Sequence, residues 1–252
     1  MPFKRAFTAL SLLFLFGCAT GPTFFSEDYL ARMASSQFSE IKEQLPLSDN
    51  PEQTAQVNRV SSRIARTLGS EMPEAEWEYV LFDEPSANAF AMPGGKIAVF
   101  TGLLEEIDSD DELAAVIGHE IAHVLLKHAN QRMSAELLRG LGGALAVAGT
   151  AEMEEDDRAL LLAAYGVGTQ LGIMLPYSRS HESQADRLGL TIAARSGYDP
   201  RAALRFWEKM AARSEGRQPE FLSTHPSYDT RMDTLREAMP GALNLYQQAS
   251  AP

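Results

Sequence analysis

Apolar residues recur at intervals of three and four along several stretches of the chain, and alternate in a few others. Residues 52–68 place Val57, Val60, Ile64 and Leu68 on one face, the spacing of an amphipathic helix that Gly69 stops. Residues 27–45 predict a more polar, weakly amphipathic helix, set off from the next by a break at 46–51. Residues 77–82 alternate as a strand does. Residues 88–92 and 96–100 predict two more strands, joined as a hairpin through Pro93-Gly94-Gly95. Pro93 puts the first strand of that hairpin at a sheet edge, because proline cannot donate to a ladder.

Ser109-Asp110-Asp111-Glu112 is a capping box, with a hydroxyl at the cap, a glutamate three residues on and acids in the first turn. The helix it opens is expected to run over 110–129, with a broad stripe of Leu113, Val116, Ile117, Ile121, Val124 and Leu125. Residues 137–150 are rich in Gly and Ala, 152–158 are charged, and 159–175 are apolar but broken by Gly166, Gly168, Gln170 and Gly172. Further helices are predicted over 181–196, about 200–212 and 226–239, the last ended by Pro240, and the tail at 241–252 gives no signal.

The N-terminus changes this picture. Lys4-Arg5 precedes an apolar run, 6–16, too short to span a bilayer comfortably, which is the form of an export signal. It ends at Leu15-Phe16-Gly17-Cys18-Ala19, which resembles a bacterial lipobox apart from Phe16. Plain cleavage near Gly17 also fits the small residues there. The lipoprotein reading is favoured because Cys18 is the only cysteine, so it has no internal disulfide partner in an oxidising compartment. The expected organisation is a signal peptide at 1–17, a tether at 18–26, a catalytic domain at 27–240 and a tail at 241–252. The absence of Asp after Cys18 points, by resemblance to bacterial lipoproteins, to the periplasmic face of the outer membrane. Net charge is −12, and losing Lys4 and Arg5 leaves 20 basic against 34 acidic residues, or −14. Such a chain is repelled by phosphate backbones, so nucleic acid is excluded as a partner. Oligomeric state is left open.

The candidate chemistry lies on the 110–129 helix. His119-Glu120-Ile121-Ala122-His123 is an H-E-x-x-H motif. Residues four apart share a helix face, so two imidazoles converge on one ion while Glu120 stays within reach of a water beside it. Imidazole ligands with an open fourth position suit one zinc ion per chain. A third ligand is found in His181-Glu182-Ser183-Gln184-Ala185-Asp186, where Glu182 and Asp186 share a face. Glu182 binds the metal, and Asp186 accepts from the far nitrogen of a ligand histidine. A chance histidine pair and a solvated acidic helix start are the bland alternatives. His128, nine residues past His119, should point away on a continuous helix and is expected at the surface, with His181 near its helix cap.

These segments resemble the gluzincin metallopeptidases of the HtpX and CAAX prenyl protease type, and most of all their periplasmic LoiP- and BepA-like lipoprotein branch. The likeness rests on H-E-I-A-H at 119–123, S-R-S-H-E-S-Q-A-D at 178–186, T-H-P-S at 224–227 and N-A-F-A-M-P-G-G at 88–95. It implies a zincin-like α+β fold, mainly α-helical, with a small three-stranded sheet whose edge strand packs on the H-E-x-x-H helix. It implies a zinc endopeptidase with His119, His123 and Glu182 as ligands, Glu120 as base and Asp186 behind them. His225 either assists the oxyanion or fills the fourth metal position, a helix-capping histidine being the alternative. Arg231 falls where the family carries an arginine near the site, and a surface ion pair is equally compatible. The mature part has no uninterrupted apolar run of spanning length, which sets prenyl-protein substrates aside.

The expected substrates are misfolded or misassembled envelope proteins, taken up along the strand carrying Asn88, Ala89 and Phe90, where unpaired backbone groups add a substrate strand. A zinc-containing chaperone of outer-membrane protein assembly with little proteolysis is the competing reading. An amidase of cell-wall peptides and a purely structural zinc are others.

Overall fold

The computed structural model describes residues 21–149, 178–213, 225 and 228–249. The leader, Cys18, the apolar stretch at 159–175, the loop at 221–224 and Pro226 lie outside the described residues.

Helix α1 (Glu27–Gln44) starts at Ser26, whose hydroxyl accepts from the Tyr29 amide, and it buries Leu30, Ala34 and Phe38 along one face. Helix α2 (Pro51–Thr67) is capped by Asn50, with Pro51 at the first helical position, so the break predicted at 46–51 ends one residue early. Strand β1 (Glu78–Phe82) pairs parallel with β3 (Lys96–Phe100), and β2 (Ala89–Met92) pairs antiparallel with β3. The order is β1-β3-β2. Gly94 and Gly95 make the β2–β3 turn with φ of 83° and 88°, a region that favours glycine. Phe38 of α1 meets Phe82 and Phe90 edge-on, and Phe100 does the same, closing an aromatic cluster over one face of the sheet.

A short helix, α3 (Thr101–Leu104), leads to α4 (Asp110–Leu125). Ser109 caps α4 by accepting from the Glu112 amide, and the Glu112 carboxylate accepts in return from the Asp108 amide, one residue outside the cap. The expected single helix over 110–129 is two. The chain breaks at Lys127, which takes φ 58°, and α5 (His128–Gly149) begins after it. The described part of the expected tether is also not free. Gln131 accepts from the Gly21 amide, Ser134 from Phe24 and Asn130 from Phe25, so residues 21–25 lie pinned along α5.

Three more helices follow among the described residues: α6 (Arg179–Arg195), α7 (Arg201–Arg213) and α8 (Tyr228–Ala249). The last does not stop at Pro240, which lies inside it. Ala242 is buried and Leu243, Leu245 and Tyr246 pack on the core, so tertiary burial carries the helix past the missing amide and through most of the expected tail. The main core lies between α2, the sheet, α4, α6, α7 and α8. Helix α4 sits at its centre, packed against α6 on one side and β2 on another. The α4–α6 crossing is very close. A Cβ on Gly189 would come within 2.7 Å of the His119 backbone, and one on Gly118 within 2.8 Å of the Gly189 carbonyl. These two glycines bring the second helix down onto the H-E-x-x-H turn. No described helix is long and apolar enough to cross a membrane.

Candidate metal centre

His119 and His123 lie one turn apart on the buried face of α4, with their Nε2 atoms 3.0 Å from each other. Helix α6, held close by Gly189, delivers Glu182 from its first turn. Its Oε2 is 3.4 Å from His119 Nε2 and its Oε1 3.5 Å from His123 Nε2. His225, just ahead of α8, enters from the other side, with Nδ1 3.3 Å from His119 Nε2 and 3.2 Å from both Glu182 oxygens. One donor atom from each of these four buried residues falls within 4.8 Å of all the others.

Four such atoms, mostly lone pairs, pressed together away from water need a positive charge among them. The electrostatics of the pocket agree. Burial and Arg231 act against protonation of His119, yet Asp186 and Glu182 outweigh them and push the imidazole up to about 9. Burial likewise works against ionisation of Glu182, but hydrogen bonds to His119 and His225 hold it well below the usual carboxylate range. Two imidazoles, a carboxylate and a further imidazole are a donor set that fits zinc.

Glu120 is turned to the side of this cluster. Burial raises its carboxyl, with Glu182 adding to the effect. Among the described residues its Oε1 accepts no hydrogen bond, and it has His225 Nε2 at 3.3 Å. Behind the clustered side chains, Asp186 Oδ1 lies 3.0 Å from His119 Nδ1. Arg231 is not at the surface. It is fully buried, donates to both Asp186 oxygens at 2.9 and 2.5 Å, and places Nη1 2.8 Å from Glu182 Oε2. Its guanidinium lies 3.7 Å above the Trp207 ring. Burial opposes the charge on Asp186, but Arg231 and His119 hold its carboxyl below the ordinary range.

His128 corrects the sequence reading. It is fully buried rather than at the surface, and its Nδ1 is 2.9 Å from His123 Nδ1. Its Nε2 lies 3.4 Å from Gln184 Oε1, and His181 stacks on it at 4.2 Å. Burial, with His181 adding, lowers its pKa to about 4. Continuous-helix phasing points this residue outward, and only the turn at Lys127 brings it back. The signal available in sequence was the loss of the apolar stripe over Lys127-His128-Ala129-Asn130-Gln131. Gly118 and Gly189 were also missed, although glycine inside a helical pattern often marks close approach.

Asn88, Ala89 and Phe90 line a cleft of about 560 Å³ that runs between β2, α1 and α5 and reaches Glu120 and His225. A larger crevice of about 790 Å³ lies near Glu71, Met72 and Pro73 and includes none of the four clustered residues.

The chain is similar to metalloendopeptidase OMA1, mitochondrial, of Bos taurus, 37% identical over 71% of this chain and 35% of that protein. It is similar to the mitochondrial metalloendopeptidase OMA1 of Schizosaccharomyces pombe, 34% identical over 86% of this chain and 63% of that protein. The beta-barrel assembly-enhancing protease of Escherichia coli is 30% identical over 81% of this chain and 42% of its own length. The chain therefore spans less than two thirds of each of these relatives. The model of peptidase family M48 matches residues 51–239, a stretch that holds α4, α6 and all four clustered side chains, and the chain belongs to that family.

Proposed function

We propose that the protein is a zinc-dependent endopeptidase in which His119, His123 and Glu182 hold one zinc ion and Glu120 is the general base. The convergence of the His119 and His123 Nε2 atoms and the Glu182 carboxylate within 3.5 Å of one another carries this reading. Zinc, when bound, supplies Lewis acidity that activates water near neutral pH and polarises a peptide carbonyl. Glu120 takes the proton from the attacking water through Oε1, which accepts no hydrogen bond among the described residues, and returns it to the leaving amine. Burial of the Glu120 carboxyl suits it to both halves of that transfer. Asp186, fixed by Arg231, accepts from His119 Nδ1 and so holds Nε2 toward the cage.

His225 is the fourth donor of the resting site. Its Nδ1 stands among the three ligand groups, where substrate must enter, and its Nε2 faces Glu120. Once displaced, the ring remains close enough to donate to the developing oxyanion. Substrate is an extended polypeptide laid along β2. Residues 88–93 all line the cleft, as the free side of an edge strand does, and backbone pairing there is largely indifferent to sequence. That suits unfolded or misassembled envelope proteins, with the chain held at the outer membrane by a lipid on Cys18. The name of the Escherichia coli relative supports an envelope role, whereas the mitochondrial relatives carry the same peptidase region elsewhere. A chaperone that rarely cleaves is the second reading, favoured by His225 standing in the cage.

The test is metal content of the purified protein together with cleavage of an unfolded casein. One zinc per chain is expected, with activity lost on chelation. Glu120→Gln is expected to keep the zinc and to lose cleavage by about two orders of magnitude or more. A fully active Glu120→Gln protein sinks the assignment. A zinc-loaded parent that binds casein without cutting it favours the chaperone.

A further inference from the structure

Of the two α4 ligands in the proposed zinc site, His119 has a conventional support, the carboxylate of Asp186 on its outer nitrogen. The outer nitrogen of His123, Nδ1, faces a second imidazole, that of His128, at 2.9 Å. His128 is on the far side of the His123 ring from the cage, since Nε2 of His123 faces His119 and Glu182 while Nδ1 faces His128.

Two imidazole nitrogens at that separation share one proton. If His123 is to give its Nε2 lone pair to a metal, its proton sits on Nδ1, and the facing nitrogen of His128 must be an acceptor. The proton of a neutral His128 then sits on Nε2, which faces an acceptor, the Gln184 side-chain oxygen at 3.4 Å. In that orientation the amide nitrogen donates to the Ser180 hydroxyl at 3.0 Å. The polarity of the chain from Ser180 through Gln184 and His128 to His123 is therefore consistent at every link. The reverse arrangement puts a proton on His128 Nδ1 and leaves His123 protonated at Nε2, unable to bind.

Packing supports the same arrangement. His181 stacks on His128 with the rings 18° from parallel, and its own Nε2 lies 3.2 Å from Gln131 Oε1. The left-handed turn at Lys127 brings His128 to this place, since nothing in the phase of α4 would.

We propose that His128 is a positioning residue for the metal centre: its imidazole accepts from His123 Nδ1, with Gln184 orienting it, and thereby fixes the tautomer in which His123 binds zinc. This rests on the zinc reading above. It assigns the neutral partner of one ligand as a counterpart to the anionic partner of the other.

The experiment is zinc affinity, measured by competition with a chromophoric chelator on the full chain, alongside the melting temperature of the zinc-free protein. The parent must first bind one zinc; if it binds none, the zinc reading itself fails, and separately from this one. His128→Phe, which keeps a buried ring without an acceptor, is expected to weaken zinc by about 10- to 100-fold, the usual effect of losing such a partner. His128→Gln, whose amide oxygen can accept from His123, is expected to recover most of that loss. Gln184→Met leaves the His128 imidazole in place and is expected to show a smaller loss in the same direction. A purely structural role would lower the melting temperature of the zinc-free protein and leave the affinity of the folded fraction unchanged. The inference is overturned if folded His128→Phe binds zinc as tightly as the parent, or if His128→Gln is no better than His128→Phe. Should His128→Phe not fold, unchanged affinity in both His128→Gln and Gln184→Met overturns it if His128→Ala also binds like the parent.

Discussion

At the scale of single residues, spacing made part of the centre legible. Histidines four apart on a helix converge wherever the helix goes, and His119 and His123 do so at 3.0 Å. Arg231 was legible only as a residue type at a family position. Its burial depends on Asp186, Glu182 and Trp207 arriving from two other helices, which no local pattern records. The arrangement makes a sharp prediction. Arg231→Met strands the Asp186 carboxylate in the core and is expected to cost about 3–5 kcal/mol, as when one partner of a buried pair is removed. Adding Asp186→Asn removes the stranded charge, so the double variant should be more stable than Arg231→Met alone. Arg231→Lys should fall between parent and Arg231→Met, because an ammonium cannot reproduce the forked contact with Asp186 or the stacking on Trp207. Urea denaturation in the presence of chelator reads this without the metal's own contribution. Strictly additive losses in the double variant would show that the two side chains do not act as a pair.

Elements were easier to start than to stop. Ser109 announced its helix because a cap is a local device, satisfied by side chain and backbone within three residues, whereas Asn50, which caps α2, was read only as part of a break. The break at Lys127 carries neither glycine nor proline, and the expected break at Pro240 is overridden by burial of the residues beyond it. The sequence reading placed the start of α6 beside α4 but not how closely the two cross, which is set by contact between two glycines 71 positions apart in sequence, Gly118 and Gly189. Gly189→Ala therefore tests the element rather than the residue. A Cβ there meets backbone of α4, which cannot move aside as a side chain would. The expected loss is about 1–3 kcal/mol with weakened zinc uptake, because Glu182 is pushed out along with α6. A variant that melts and binds zinc like the parent would show that the crossing is not set by these glycines. At Lys127 the backbone is left-handed, so Lys127→Gly should leave the melting temperature unchanged or raise it. Lys127→Val should lose about 1–2 kcal/mol through its branched Cβ. The exposed Lys127–Glu27 pair, at 3.1 Å, contributes little to either result. Equal melting of the two variants would contradict the strain argument.

Across the whole molecule the four clustered side chains come from three separate stretches: α4, the first turn of α6 and the approach to α8. An ion held by all of them would tie α4 to the C-terminal helices. Metal binding and global stability should therefore be coupled. With free zinc at about 100 times the dissociation constant, the native state gains about 2.7 kcal/mol, and at about 2–4 °C per kcal/mol for a domain of this size the melting temperature should rise by about 5–10 °C over the chelated protein. The gain should grow with the logarithm of free zinc, because only the native state assembles the cage. His225→Ala removes one of the four donors but leaves both helix-borne histidines and Glu182, so it should keep most of the zinc-dependent shift. Glu182→Gln removes the only clustered donor from α6 and should abolish most of it. The distinguishing result is the pair taken together under calorimetry. If Glu182→Gln retains the full zinc-dependent rise, the link between α4 and α6 through the metal is wrong, whatever the activity of the protein proves to be.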